Sequence, residues 1–208
     1  MSYMFNNCLS LTSIDISSFN TESVNNMAHM FDGNSALREL NLEKFNTKNV
    51  KNMSSMFRYC TSLKILDLSQ FETSLVTDMS YMFSYSHFLT EIIINSEKFT
   101  TSQVTDMSYM FSYCNNLISV DLSNFNTANV KNMSAMFSDC MGVKTLEVSK
   151  FDTKNVLDMS EMFSGCSSVT SLDVSKFVTD KVKNMAKIFA QCTGLKIIDI
   201  RNFVTKEV

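Results

Sequence analysis

A Met-Phe pair recurs along this chain at a fixed step, and that recurrence restricts the fold more than any other feature. The pairs are Met4-Phe5, Met30-Phe31, Met56-Phe57, Met82-Phe83, Met110-Phe111, Met136-Phe137 and Met162-Phe163, with Ile188-Phe189 in the eighth place. The step is 26 residues each time, except for 28 between Met82 and Met110. A fixed period of this length specifies a stacked array with one supersecondary unit per repeat. A second methionine column runs Met1, Met27, Met53, Met79, Met107, Met133, Met159 and Met185. A second phenylalanine column runs Phe19, Phe45, Phe71, Phe99, Phe125, Phe151, Phe177 and Phe203. These columns absorb every methionine except Met141 and every phenylalanine except Phe88, which accounts for 16 Met and 17 Phe in 208 residues. Identity repeated inside one chain marks sites with fixed packing demands.

One unit, residues 47–71, serves as the pattern. Thr47 fits a helix N-cap, because its hydroxyl can accept a free backbone N–H. Val50, Met53, Met56, Phe57 and Cys60 follow at three- and four-residue steps, the spacing of one helix face. Leu63, Leu66 and Leu68 then form a leucine-rich strand, with Leu66 and Leu68 inward and Asp67 outward. The expected fold is an α/β repeat solenoid of leucine-rich-repeat type. It would be right-handed, with one short parallel strand plus one short helix per ~26-residue repeat. No linker or low-complexity segment divides residues 1–208, so they read as a single solenoid of about eight repeats. Neither end carries a distinct capping unit, which suits a segment of a longer array; a native start at Met1 is the alternative.

The string Leu63-x-x-Leu66-Asp67-Leu68-Ser69-x-Phe71, then Thr73-x-x-Val76-x-x-Met79-x-x-Met82-Phe83, resembles the BspA-like leucine-rich repeat surface proteins. The Asn-Met-Ser-x-Met-Phe-x-x-Cys core at Asn52 to Cys60 is similar to the Mycoplasma-type branch of that family. The resemblance covers essentially all eight units. It implies a secreted or cell-surface protein that binds a protein or glycan on a host or neighbouring surface. It supplies no catalytic residues and no cofactor.

Composition bounds the remaining classes. A formal net charge of −3 offers no basic face for nucleic acid. No basic-then-apolar start resembles a signal peptide, and no apolar run reaches the roughly 20 residues of a membrane span. Only His29 and His87 could act as imidazole bases, in separate repeats, and no phosphate loop, HExxH or nucleophile elbow occurs. The chain therefore reads as no enzyme.

Four features depart from simple packing. Cys8, Cys60, Cys114, Cys140, Cys166 and Cys192 share a column, with Asn34 and Ser86 in its gaps. They read as buried free thiols, since no second ligand set lies close in sequence for zinc. Asp15, Asp67, Asp121, Glu147, Asp173 and Asp199 form an outward acidic column, interrupted by Asn41 and Ile93. Carboxylates on rungs about 4.8 Å apart need compensation. It could come from local hydrogen bonds, from Lys44, Lys150 and Lys176, from calcium or from a basic partner. Tyr59, Tyr85 and Tyr113 share one column, and Tyr81 and Tyr109 another four residues earlier, so five tyrosines form a patch on the helix side. That patch is a contact surface or a cover for gaps between helices. Unit four has Ser86 for Cys, Ile93 for the acid, an added Phe88 and a two-residue insertion near Ser96-Glu97-Lys98. The expected role is a surface-exposed binding or adhesion module. A structural spacer in an anchored surface protein, or an intracellular interaction scaffold, is the alternative.

Overall fold

The computed structural model describes residues 1–208. The helix expected in each repeat does not form; the Met-Phe segment is an arc of successive turns. Hydrogen bonding shows why. Met30 N–H and Asp32 N–H return to Met27 O and His29 O, three residues back. The intervening Met27, His29, Phe31 and Gly33 N–H groups instead donate to Asn52, Ser54, Met56 and Arg58 carbonyls of the next repeat, at 2.8–2.9 Å. An α-helix would spend all of these donors on its own carbonyls four residues back. Two residues per repeat also have positive φ, as at His29 (56°) with Gly33 (80°), and Tyr81 (57°) with Tyr85 (61°). A single left-handed residue ends a right-handed helical turn, so each arc stays one chain-layer thick and pairs with the arcs beside it.

Thr47 is accordingly not a helix cap. Its Oγ1 donates to Glu72 O at 3.0 Å and accepts Glu72 N–H at 2.8 Å, which ties one repeat to the next. Thr21, Thr73, Thr153 and Thr179 make the same double bridge.

The leucine segment gives two strands, β1 (Ile65–Leu68) and β2 (Glu91–Ile94), paired in parallel with Ile65 opposite Glu91 and Leu68 opposite Ile94. Leu66 and Leu68 point inward and Ile65 and Asp67 outward, in the expected alternation. The other leucine segments lie alongside without regular strand pairing, so the long sheet is confined to this pair. A second ladder of single parallel bridges runs through Asn26, Asn52, Asp78, Asp106, Asn132, Asp158 and Asn184. Each of these side chains accepts the N–H two residues on, as Asp106 Oδ1 does from Ser108 N at 2.8 Å, which closes a tight turn into the arc.

Between the arcs and the leucine segments lies one continuous apolar core that extends from Ile16 to Ile188. The Met-Phe phenylalanines stack ring on ring through it, with centroids 5.8 Å apart for Phe31–Phe57 and 5.5 Å for Phe111–Phe137. Each interior ring, from Phe31 to Phe163, is sandwiched by its copies, so burial and offset stacking reinforce one another. The cysteine column borders this core. Cys60 Sγ donates to Phe31 O at 3.2 Å, Cys140 to Phe111 O at 3.1 Å and Cys166 to Phe137 O at 3.1 Å. Ser86 makes the same bond to Phe57 O at 2.8 Å, and Asn34 Nδ2 reaches Phe5 O at 2.9 Å. The column asks for a small side chain with a donor, and sulfur, hydroxyl and amide all supply one.

Candidate functional site

The five tyrosines do come together, on the turn arcs and not on helices. Tyr59, Tyr85 and Tyr113 stack face to face at 4.6 and 4.5 Å, and Tyr81 stacks on Tyr109 at 4.5 Å. All five have φ between 55° and 61°, which aims both columns away from the core. The rings remain part-exposed on the outer surface of the arcs. Their faces are spent on each other, so edges and hydroxyls meet the solvent. Five amphipathic rings with few rotatable bonds make a stiff contact surface.

Arg58 lies beside this double ladder, with its guanidinium carbon 4.8 Å from the Tyr59 ring centre and 5.1 Å from that of Tyr81. His87 edges the other side, 5.9 Å from Tyr85 and nearly perpendicular to it. Its Nδ1 faces Tyr113 O at 3.0 Å and Asn115 Oδ1 at 2.7 Å, so this nitrogen carries the hydrogen. Burial raises the Tyr81 hydroxyl pKa, with Tyr109 adding to it. The Asp139 carboxylate raises that of Tyr113. The patch thus has a cation, Arg58, at one end and a carboxylate, Asp139, acting on Tyr113 at the other.

Sequence reasoning missed Arg58, the buried Ser84 and Ser112, and the left-handed backbone. A signal for the backbone was present. The column of Tyr59, Tyr85 and Tyr113 also holds Asn7, Gly33, Asp139 and Gly165, residue types that tolerate positive φ.

The acidic column is resolved locally. Asp15, Asp67, Asp121 and Asp173 each accept the backbone N–H of the serine two residues on, at 2.8–3.0 Å. The hydroxyls of these serines, and after them their N–H groups, lower the carboxyl pKa of Asp15, Asp121 and Asp173. The Arg201 guanidinium takes Asp199 down to about 2. Asn41 makes the same turn to Glu43 N–H at 3.0 Å, which explains how an amide replaces the acid. Glu147, a carbon longer, shares the column position without that bond and lines a hollow together with Leu172, Asp173 and Ile198. The five aspartates thus each accept a bond within their own turn, and Glu147, Asp173 and Asp199 line the same hollow.

His29 Nδ1 meets Asp32 Oδ2 at 2.8 Å, and its ring stacks on Tyr3 at 4.4 Å. The two histidines stay in separate repeats. Phe88, outside every column, is 57% exposed near Arg38, Ser62 and Lys64. No helix is long and apolar enough to cross a membrane.

Among solved structures the chain is similar to a leucine-rich repeat protein from Eubacterium ventriosum ATCC 27560. The identity is 16% and the TM-score 0.55, over 86% of this chain and 42% of that one. A leucine-rich repeat protein from Bacteroides ovatus ATCC 8483 aligns at 18% identity and a TM-score of 0.30, over 93% of this chain and 62% of that one. The chain thus spans less than two thirds of either. The first likeness supports the repeat solenoid, and at this identity it speaks for the fold alone. A search of curated proteins gives no match. The repeat motif resembles that of the BspA-like leucine-rich repeat proteins, and a leucine-rich-repeat fold is consistent with that resemblance. The family model described as "Mycoplasma protein of unknown function, DUF285" matches residues 1–115, 61–145 and 88–203, and the chain belongs to that family.

Proposed function

We propose that this chain is a non-enzymatic interaction module whose contact surface is the tyrosine double ladder, and that it works at a cell surface as a binding or adhesion segment. A leucine-rich-repeat-like fold supports protein interaction in general. The observation that carries the finer reading is the pair of exposed tyrosine columns, stacked at 4.5–4.6 Å on rigid arcs. Most of their equivalents in the other repeats are small or polar, such as Ser55, Gly33, Ala135 and Gly165; Tyr3 and His29 share the column of Tyr81 at one end. A spacer would have no use for a localised stack of half-exposed rings, whose exposed apolar edges carry a cost in solubility.

The partner class is a protein or glycan on a host or neighbouring surface. The test is a panel of matrix proteins, mucins and glycans, probed with the wild-type chain and with Tyr81→Ser/Tyr85→Ser/Tyr109→Ser/Tyr113→Ser. Capture that the variant loses, with its circular dichroism unchanged, supports the reading. Capture that the variant keeps in full removes the ladder from it. A folded wild-type chain that captures nothing favours the spacer role.

A further inference from the structure

Two irregularities of the repeat meet at one place beside the leucine segments. The first is Phe88, exposed in a column that otherwise holds only small or polar residues, from Ser10 and Ala36 to Ser168 and Gly194. The second lies two positions on, where Arg38 and Lys64 put cations on consecutive rungs, which no other pair of repeats does in that column. Rungs stack about 4.8 Å apart, so neighbouring like charges are unfavourable without compensation. Neither Arg38 nor Lys64 enters an ion pair, and both are exposed. Asp67, on the rung of Lys64, is turned to Ser69 N–H at 2.8 Å. The chain also opens here. Arg38 N–H bonds to Thr12 O at 3.2 Å and Thr90 N–H to Lys64 O at 2.8 Å, yet no backbone hydrogen bond joins residues 36–43 to residues 62–70. Arg38, Ser62, Lys64 and Phe88 line a hollow of about 460 Å³ at this opening. A second hollow, of about 430 Å³, shares Arg38 and Lys64 with it and adds Ile65, itself exposed.

We infer that this hollow docks a short acidic peptide segment of a partner protein, with a carboxylate between Arg38 and Lys64 and a neighbouring apolar side chain laid on Phe88. Charge complementarity carries the first half. Two unpaired cations on adjacent rungs lose their mutual repulsion when one carboxylate accepts from both, and such charge-assisted bonds are the strong ones. The exposed ring carries the second half, since a large apolar side chain left open beside polar groups marks a contact surface. The charge around the hollow limits the partner further. Glu39 and Asp67 line the second hollow, and Glu91 stands exposed on the rung of Phe88. They repel a chain that is anionic throughout, so a single acidic group with an apolar neighbour fits and a polysulfated glycan does not. The hollow shares no residue with the tyrosine ladder, so either reading can fail without the other.

The test uses the whole 208-residue chain and three labelled peptides, Gly-Glu-Phe-Glu-Gly, Gly-Gln-Phe-Gln-Gly and Gly-Glu-Gly-Glu-Gly, with a sulfated disaccharide as competitor. Anisotropy gives affinity, and the ring resonances of labelled phenylalanine give position, that of Phe88 being assigned by its loss in Phe88→Ser. The first peptide is expected to shift Phe88 and to bind about tenfold tighter than the glutamine peptide and about fivefold tighter than the glycine one. Arg38→Gln/Lys64→Gln changes two exposed, unpaired side chains and is expected to keep the fold and weaken binding about tenfold. Phe88→Ser is expected to weaken it about fivefold. Tyr81→Ser/Tyr85→Ser/Tyr109→Ser/Tyr113→Ser is expected to bind the peptide as the wild type does. An acidic peptide that binds no better than its glutamine counterpart, or not at all, overturns the inference, as does one that binds the Arg38/Lys64 and Phe88 variants undiminished. A sulfated disaccharide that binds tighter than the peptide and displaces it gives the cations to a glycan and overturns it too. Loss of binding in the tyrosine variant alone moves the peptide to the ladder, which ends this site and leaves the ladder standing.

Discussion

At the scale of single residues, the cysteine column shows a packing site that is also a hydrogen-bonding site. Cys60 is fully buried and its thiol donates to the Phe31 carbonyl at 3.2 Å, a place that Ser86 fills in the next repeat with a hydroxyl at 2.8 Å. Cys60→Ser is therefore expected to cost less than Cys60→Ala, which leaves the carbonyl short of a donor for about 1–2 kcal/mol. Urea unfolding gives the order, and an alanine variant as stable as the serine one would mean that the bond contributes nothing. Burial also raises the pKa of these thiols, that of Cys114 from 9.0 to about 12, with Cys60, Cys140 and Cys166 raised as well. The neutral thiol is the protonated form, so the unfolded chain ionises first as pH rises. The Cys114 contribution is fully present below pH 9.0 and is lost between there and about 12. Each such thiol removes about 1.4 kcal/mol per pH unit in that window. The urea midpoint should stay level from about pH 7 to 8.5 and fall steeply above pH 9. Replacing Cys60, Cys114, Cys140 and Cys166 by serine should flatten the fall. An equally steep fall in that variant would assign the alkaline loss to other groups.

At the scale of the element, what replaces the helix is an arc that cannot stand alone, because half of its N–H groups bond to the next arc. The threonine bridges are its most concentrated ties. Thr73 Oγ1 donates to Thr100 O at 2.6 Å and accepts Thr100 N–H at 2.8 Å, with Thr73 buried and Thr100 part-exposed. Thr73→Val keeps the shape and orphans both backbone groups, at an expected cost of about 2–4 kcal/mol. Exposed Thr77, with one bond to Lys51 O at 3.1 Å, should lose less than about 1 kcal/mol on the same change. Equal losses in the two variants would show that the double bridge adds nothing. Much of this architecture was legible beforehand, for a physical reason: side-chain columns record stacking demands directly. The Met, Phe and Cys columns, the leucine alternation of β1 and the grouping of the five tyrosines all came from such repetition. The arc was not legible, because inward residues at steps of three and four arise equally from a helix face and from successive turns. The deciding variable, the sign of φ at Tyr81 and Tyr85, leaves no mark on hydrophobic spacing. Arg58 escaped notice because its place against the Tyr59 and Tyr81 rings depends on how repeats sit in space.

At the scale of the molecule, every repeat touches only its neighbours, so stability should follow the ladder position of a residue more than its chemistry. Phe111 lies 5.4 Å from Phe83 and 5.5 Å from Phe137, gripped on both sides and almost wholly buried. Phe189 stacks on Phe163 at 5.9 Å and meets Phe203 only at a tilt, and it remains part-exposed. Phe111→Ala is expected to cost about 3–5 kcal/mol, and Phe189→Ala less than half of that. The sharper reading is hydrogen exchange along the inter-repeat N–H groups of Phe31, Phe57, Phe83, Phe111 and Phe137, each donating to the methionine carbonyl of the next repeat at 2.9 Å. Nearest-neighbour coupling predicts slow exchange in the middle and faster exchange toward both ends. It also predicts that Phe111→Ala speeds exchange most at Phe83, Phe111 and Phe137 and leaves Phe31 nearly as it was. If protection instead drops by the same factor at all five, the core from Ile16 to Ile188 unfolds as one unit, and the tyrosine face can yield nowhere without the whole stack yielding with it.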